Sequence, residues 1–224
     1  MSNPATISDC KCVLVIGATA GIGRDLALAI HGCRPSRPSS RREAAERLDD
    51  FDVNASRDAL KSAVQDVYQK YPDLDAVLFK PESVNLERGA EHELHSITRM
   101  VTFFLPHFLK LSVREGRPSL MITVTSGLAI FTLSLYTQLR DTKVKVMEIF
   151  PPLVESELHD RSYYSEVSKG LKRGDVEIPV GMVKQQWETF ESGKLEKVQN
   201  TMKLFRSRRR RYVPGNRQIR RSEY

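Results

Sequence analysis

No stretch of this 224-residue chain stays apolar for the roughly 18 to 20 residues that a membrane-crossing helix needs, so the sequence argues against a membrane protein. Cysteine is scarce. Cys10, Cys12 and Cys33 are an odd number and too few for a disulfide framework or a four-cysteine zinc site, and they read as reduced thiols with no metal. Met1 to Asp9 lacks the basic region followed by an apolar one that marks a secretory signal, and the expected location is cytoplasmic. No internal repeat is evident.

Acidic residues are almost missing from one place, the last 19 residues. From Arg206 to Tyr224 eight arginines face the single acid Glu223. The rest of the chain carries 27 basic and 27 acidic residues, so the net charge of +7 belongs to this tail and not to the fold. Arg208 to Arg211 followed by Pro214 and Gly215 cannot bury a face, and the segment is expected to be disordered. A basic cluster attracts RNA, anionic lipid or an import receptor. Tyr212 is its one internal aromatic, with no interleaved series, so nucleic-acid binding is expected only as nonspecific attraction to a polycation. The predicted organisation is one Rossmann-like domain over residues 1–205 and an arginine-rich tail over 206–224.

The most informative stretch lies near the start. Val13, Leu14, Val15 and Ile16 run into Gly17-Ala18-Thr19-Ala20-Gly21-Ile22-Gly23, and Leu26, Ala27, Ala29 and Ile30 then recur at helical spacing. This predicts a buried strand, a tight turn and a helix. Glycines let the backbone approach a pyrophosphate, while the helix start offers free N–H groups and a positive dipole end. A dinucleotide site and a purely structural turn both fit this pattern. Further along, helices are predicted over Ser56–Tyr71 and Glu91–Leu111, with Pro106 expected to kink or split the second. Buried strands are predicted over Asp73–Phe79, Leu120–Ser126 and Lys143–Phe150. Arg161–Gly181 reads as a polar segment and Met182–Phe205 as an amphipathic helix.

The spacing Gly17-x-x-x-Gly21-x-Gly23, with Asp52-Val53, Thr125-Ser126-Gly127 and Pro151-Pro152-Leu153-Val154-Glu155-Ser156 in the same order, resembles the short-chain dehydrogenase/reductase family over about residues 12 to 160. The resemblance implies a mainly parallel α/β sheet flanked by helices, a bound NADP or NAD, and hydride transfer with a carbonyl or alcohol. It assigns Gly17, Thr19, Gly21, Ile22 and Gly23 to the cofactor's phosphates. It assigns Asp52 and Val53 to the adenine, and Ser126 to the substrate carbonyl, whose developing charge a hydroxyl stabilises. Arg41 and Arg42 match the basic residues that hold the 2′-phosphate of NADP; a guanidinium fork suits that group, and solvated loop arginines remain the alternative. The family's dimers make a homo-oligomer an expectation.

Several family features are absent. The segment Gly32 to Arg42 has two prolines and three serines and no β-branched run, so it reads as a loop where the second strand should lie. Phe79 passes straight to Lys80-Pro81 where the family has Asn-Ala-Gly. No asparagine occurs from Glu91 to Leu111, where the family places one in a proton relay. The catalytic Tyr-x-x-x-Lys has no counterpart: Tyr68, Tyr71, Tyr136, Tyr163, Tyr164 and Tyr212 are followed at the fourth position by Pro72, Asp75, Arg140, Val167, Ser168 and Asn216. Gly127-Leu128-Ala129 leads directly into a segment resembling the second half of the family's catalytic helix. Tyr136 with Arg140 is read as ordinary amphipathic helix and not as a substitute pair. The two function classes carried forward are an NAD(P)-dependent oxidoreductase with impaired proton delivery, and a non-catalytic descendant or incomplete gene product keeping the scaffold or the nucleotide site.

Overall fold

The structure, a computed structural model, describes residues 6–18, 21–33, 55–80, 89–124, 129–151, 161–181, 183–190, 193–194, 196–201 and 203. Five strands, β1 (Cys12–Ile16), β2 (Leu74–Phe79), β3 (Ser119–Val124), β4 (Val144–Phe150) and β5 (Glu177–Pro179), form one sheet in chain order. Every pairing is parallel. β2 and β3 are buried at each residue and β4 at all but Lys145. Such continuous apolar runs are what a sheet covered on both faces demands. β1 is half-buried except at Ile16, as suits the end strand of the described sheet.

The helices are α1 (Gly21–Cys33), α2 (Arg57–Lys70), α3 (Gly89–Arg114), α4 (Ala129–Leu139), α5 (Arg161–Arg173) and α6 (Val183–Phe190). Alternation along the strands sends successive side chains to opposite faces. Val77, Phe79, Met121 and Val146 meet Leu60 and Val64 of α2, Phe104 and Phe108 of α3, and Leu135 of α4. Ala76, Leu78, Ile122 and Ile149 meet Leu26 and Ile30 of α1, Val167 and Leu171 of α5, and Ile7 of a short 3-10 turn at Ile7–Asp9. The result is three layers, helices on both faces of a parallel sheet. The crossovers through α3 and α4 lie on one face and the crossover through α5 on the other. Because all three move the same way along the sheet, the β4–α5–β5 connection has the opposite hand to the two before it, an exception to the usual right-handed rule.

Three expectations are corrected or extended here. Pro106 does not split α3, which runs unbroken from Gly89 to Arg114. A mid-helix proline costs about 3 kcal/mol, whereas the six buried residues Ile97, Met100, Val101, Phe104, Phe108 and Leu111 contribute about 1.5–3 kcal/mol each. Pro106 and Thr102, whose carbonyl loses its N–H partner, are both exposed, so water can satisfy that oxygen. The Tyr68 hydroxyl of α2 donates to the neighbouring carbonyls of Phe103 and Phe104 at 3.4 and 3.3 Å.

Arg161–Gly181 is not merely a polar segment, since it contains α5 and β5. Its core contacts are Tyr163, Val167 and Leu171, spaced four apart on one face, a stripe too narrow to stand out among charged neighbours. Gly170 lets the helix sit close to β5: a Cβ there would come within 2.8 Å of the Ile178 side chain. The helix expected over Met182–Phe205 is interrupted, with α6 ending at Phe190 and Gly193 adopting a φ of +83°. The strand order shows no reversal among the described residues; Asp52 and Val53 lie outside them, as does the tail over 206–224.

Polar groups at the N-terminal edge of the sheet fasten it. Asp75, at the start of β2, accepts from the backbone N–H of Lys11 at 2.9 and 3.0 Å and of Cys12 at 3.1 Å, and pairs with Arg117 at 3.4 Å. Burial pushes its carboxyl above the ordinary range, with these partners pulling the other way. Nearby, His107 of α3 donates through Nε2 to the Leu74 carbonyl at 3.1 Å and stacks on Tyr68, ring centroids 4.1 Å apart. Burial holds its imidazole below the usual 6.5. A folded-state pKa depressed in this way contributes stability above the unfolded value, and that stability is lost as pH falls through the folded value. The urea midpoint should therefore fall between pH 7.5 and pH 5.5, and His107→Gln should reduce that fall. An equal fall in the variant would assign the acid sensitivity to other groups.

Candidate cofactor site

β1 ends where its backbone must turn back into α1, and the two glycines at this point are fixed by contact. Gly17 has a φ of +83°, and a Cβ on it would lie 2.3 Å from the Lys80 carbonyl oxygen. A side chain there meets both backbone strain and a backbone atom. Gly23, in the first turn of α1, is tighter still: its Cβ would lie 1.9 Å from the Gly17 carbonyl oxygen. The Lys80 N–H donates to the Ile16 carbonyl at 3.1 Å, which locks the residue after β2 against the turn after β1. Gly17 makes the turn, Gly21 opens the helix, and Gly23 lets the helix start press on the turn.

Around this turn the electrostatics favour an anion. The first N–H groups of α1 have no intrahelical acceptor, the helix dipole places its positive end here, and the first turn of α1 contains no acidic residue. Ile22 packs against the apolar cluster that holds Leu26 and Ile30, so its side chain anchors the helix start. Thr19 lies outside the described residues, and so do Arg41, Arg42, Asp52 and Val53. The glycine part of the expected site is thus brought together with Lys80, while the ribose- and adenine-side residues are not described.

The expected catalytic region lies at the same, C-terminal edge of the sheet. Ser126 is outside the described residues, but the strand leading to it and the helix leaving it are described. Thr123, near the end of β3, shares a hydroxyl–hydroxyl hydrogen bond of 3.3 Å with Thr132 in the first turn of α4, and donates to the Met147 carbonyl at 3.4 Å. This buried contact joins β3, α4 and β4. Tyr136 packs against the α3-side core, and Arg140 follows the end of α4, beside Asp141 at 3.6 Å. A helix that starts at the C-terminal edge of a parallel sheet ends near the opposite edge, so Arg140 stands far from where the cofactor would react.

One residue escaped the sequence reading. Glu148 of β4 is fully buried, in register with Thr123 on one side and Glu177 on the other, so it shares their face of the sheet. In sequence it is the one acid in a mostly apolar strand, Val144-Lys145-Val146-Met147-Glu148-Ile149-Phe150, and unlike Lys145 it is fully buried. An acid within such a run is the signal that could have marked it. Among the described residues no group of three or more His, Cys, Asp or Glu could hold a metal ion, and no helix is long and apolar enough to cross a membrane.

No protein-family model matches the chain. It is 25% identical over 225 residues to DltE, an uncharacterized oxidoreductase of Bacillus subtilis, covering 74% of this chain and 86% of that protein. In three dimensions it is similar to a protein assigned as a short-chain dehydrogenase from Novosphingobium aromaticivorans, with a TM-score of 0.56 at 15% identity, covering 92% of this chain and 89% of that one. A second such likeness is to a protein assigned as a short-chain dehydrogenase/reductase from Sinorhizobium meliloti, with a TM-score of 0.49, 18% identity and coverage of 76% and 95%. The fold is the Rossmann-like α/β fold of the short-chain dehydrogenases/reductases, and the resemblance to that family read from the glycine turn onward holds.

Proposed function

We propose that the chain is an NAD(P)-binding short-chain dehydrogenase/reductase-like protein, of the oxidoreductase class acting on a carbonyl or alcohol, with its proton delivery impaired. The observation that carries the reading is the strand–turn–helix in which Gly17 and Gly23 admit no side chain and α1 opens toward the C-terminal edge of a parallel sheet. A pyrophosphate is the ligand such a helix start suits best. When bound, the nicotinamide supplies the hydride. Ser126 would donate a hydrogen bond to the substrate oxygen, Asp52 and Val53 would line the adenine side, and Arg41 with Arg42 would favour the 2′-phosphate of NADP.

Titration with NADPH and NADH, followed by nucleotide fluorescence, tests this. Saturable binding of both, tighter for NADPH, is expected. In the double variant Arg41→Ala, Arg42→Ala the preference for NADPH should fall by about 10-fold, the scale of one or two charge-assisted contacts, with NADH affinity unchanged. Failure of a cooperatively folded protein to bind either nucleotide would leave only a scaffold role. The lack of any Tyr-x-x-x-Lys favours a second reading on the same site, a protein that binds the dinucleotide without turning it over at a useful rate.

A further inference from the structure

We propose that Lys80 is a phosphate-binding residue of the dinucleotide site, contributing its ammonium group to the pyrophosphate that the start of α1 receives. The proposal rests on the nucleotide reading above and adds to it a residue that the resemblance does not supply, because the resembled family has asparagine where this chain has Lys80.

The position is fixed by the backbone. Lys80 is the first residue beyond β2, its N–H is held by the Ile16 carbonyl, and its own carbonyl covers Gly17. Its side chain follows the same direction. The Lys80 Cδ lies 3.4 Å from where a Cβ of Gly17 would stand, so the aliphatic stem folds over the glycine turn and does not leave it for solvent. Only two further bonds separate that carbon from the ammonium group, which therefore stays close to the turn, and Lys80 as a residue is half-buried.

Other lysines near the sheet have partners on the protein. Lys11 pairs with Asp73 at 3.6 Å, Lys143 donates to the Gly116 carbonyl at 2.6 Å, Lys184 pairs with Glu166, and Lys145 faces the charge of Asp175. Among the described residues no carboxylate pairs with Lys80. A compact cation on a flexible stem, set beside free helix N–H groups at a turn without acidic residues, matches a phosphate oxygen. Two independent features, backbone donors and a side-chain cation, then converge on one anionic group.

The test compares wild type, Lys80→Met, Lys80→Gln and Lys80→Arg with NADPH, NADH and ADP, at low and at high salt. ADP carries the pyrophosphate without the nicotinamide. Loss of the cation should weaken all three ligands about 10-fold at low salt, and the difference should shrink at high salt as the charge is screened. Arginine should keep affinity within about 3-fold, since it restores the charge. Thermal midpoints of all variants should match wild type. Wild-type saturation with unchanged affinity in the uncharged variants would overturn the Lys80 assignment alone. A loss confined to NADPH and NADH, absent with ADP, would overturn its assignment to the pyrophosphate. Loss of cooperative unfolding in both uncharged variants would make Lys80 a residue of the fold and overturn it too. No binding by wild type removes the nucleotide reading and this inference together.

Discussion

Gly17→Ala should destabilise the protein by about 2 to 5 kcal/mol, combining left-handed backbone strain of about 1–2 kcal/mol with the forced displacement of a packed backbone carbonyl at about 1–3 kcal/mol. Against a typical domain stability of about 5–15 kcal/mol this is a large loss, and nucleotide binding should vanish with it. A built-in control exists. Gly193 has the same φ of +83°, yet a Cβ there meets nothing within 4 Å. Gly193→Ala should therefore cost only the strain, about 1–2 kcal/mol, and leave nucleotide affinity intact. Urea unfolding of the two variants measures the contrast. Equal losses would mean that the Lys80 carbonyl gives way freely and that the turn is less constrained than its geometry implies.

With NADPH and simple aldehydes or ketones, hydride transfer should run slower by about 10² to 10⁴ or more than in an enzyme that has its general acid, because that is what a positioned acid contributes. No tyrosine of this chain has a lysine four residues on, and the nearest approximation, Tyr136 with Arg140, ends at the wrong edge of the sheet. An alkoxide forming beside Ser126 would take its proton from solvent. Its rate should then rise with the concentration of a small buffer acid at constant pH, the acid doing from solution what the missing side chain does in the family. Turnover near 10 s⁻¹, the ordinary median for enzymes, with no response to buffer would mean that another side chain of this chain delivers the proton. Glu148, the buried acid in register with Thr123, would then be the first residue to replace.

The fold was legible wherever one physical signal dominated. β2, β3 and β4 are runs of buried apolar residues and were read within one or two residues, and α2 follows from Leu60, Val64 and Val67 with Ser56 as its cap, accepting from the Ala59 N–H at 3.3 Å. The glycine turn was legible because two kinds of constraint, left-handed φ and backbone approach, both select glycine. α5 was not, since three apolar residues, Tyr163, Val167 and Leu171, carry its core contacts and its charged remainder looks like a loop. That Pro106 leaves α3 unsplit was not legible, because a proline's local cost is visible in sequence while the burial that outweighs it is a property of the packed sheet. The opposite hand of the β4–α5–β5 crossover has no local sequence signal at all. Of the candidate site, Gly17, Gly21 and Gly23 could be read from their spacing, but the role of Lys80 depends on β1 and β2 lying side by side, a contact between residues some 60 positions apart.

Hydrogen exchange measured peptide by peptide, with and without saturating NADPH, tests the central claim that the turn between β1 and α1 holds a dinucleotide. Slower exchange should be confined to peptides covering residues 17–24 and the residues just after β2, where backbone N–H groups would meet the phosphates. Unchanged exchange there, or protection appearing only in other parts of the chain, would contradict the account.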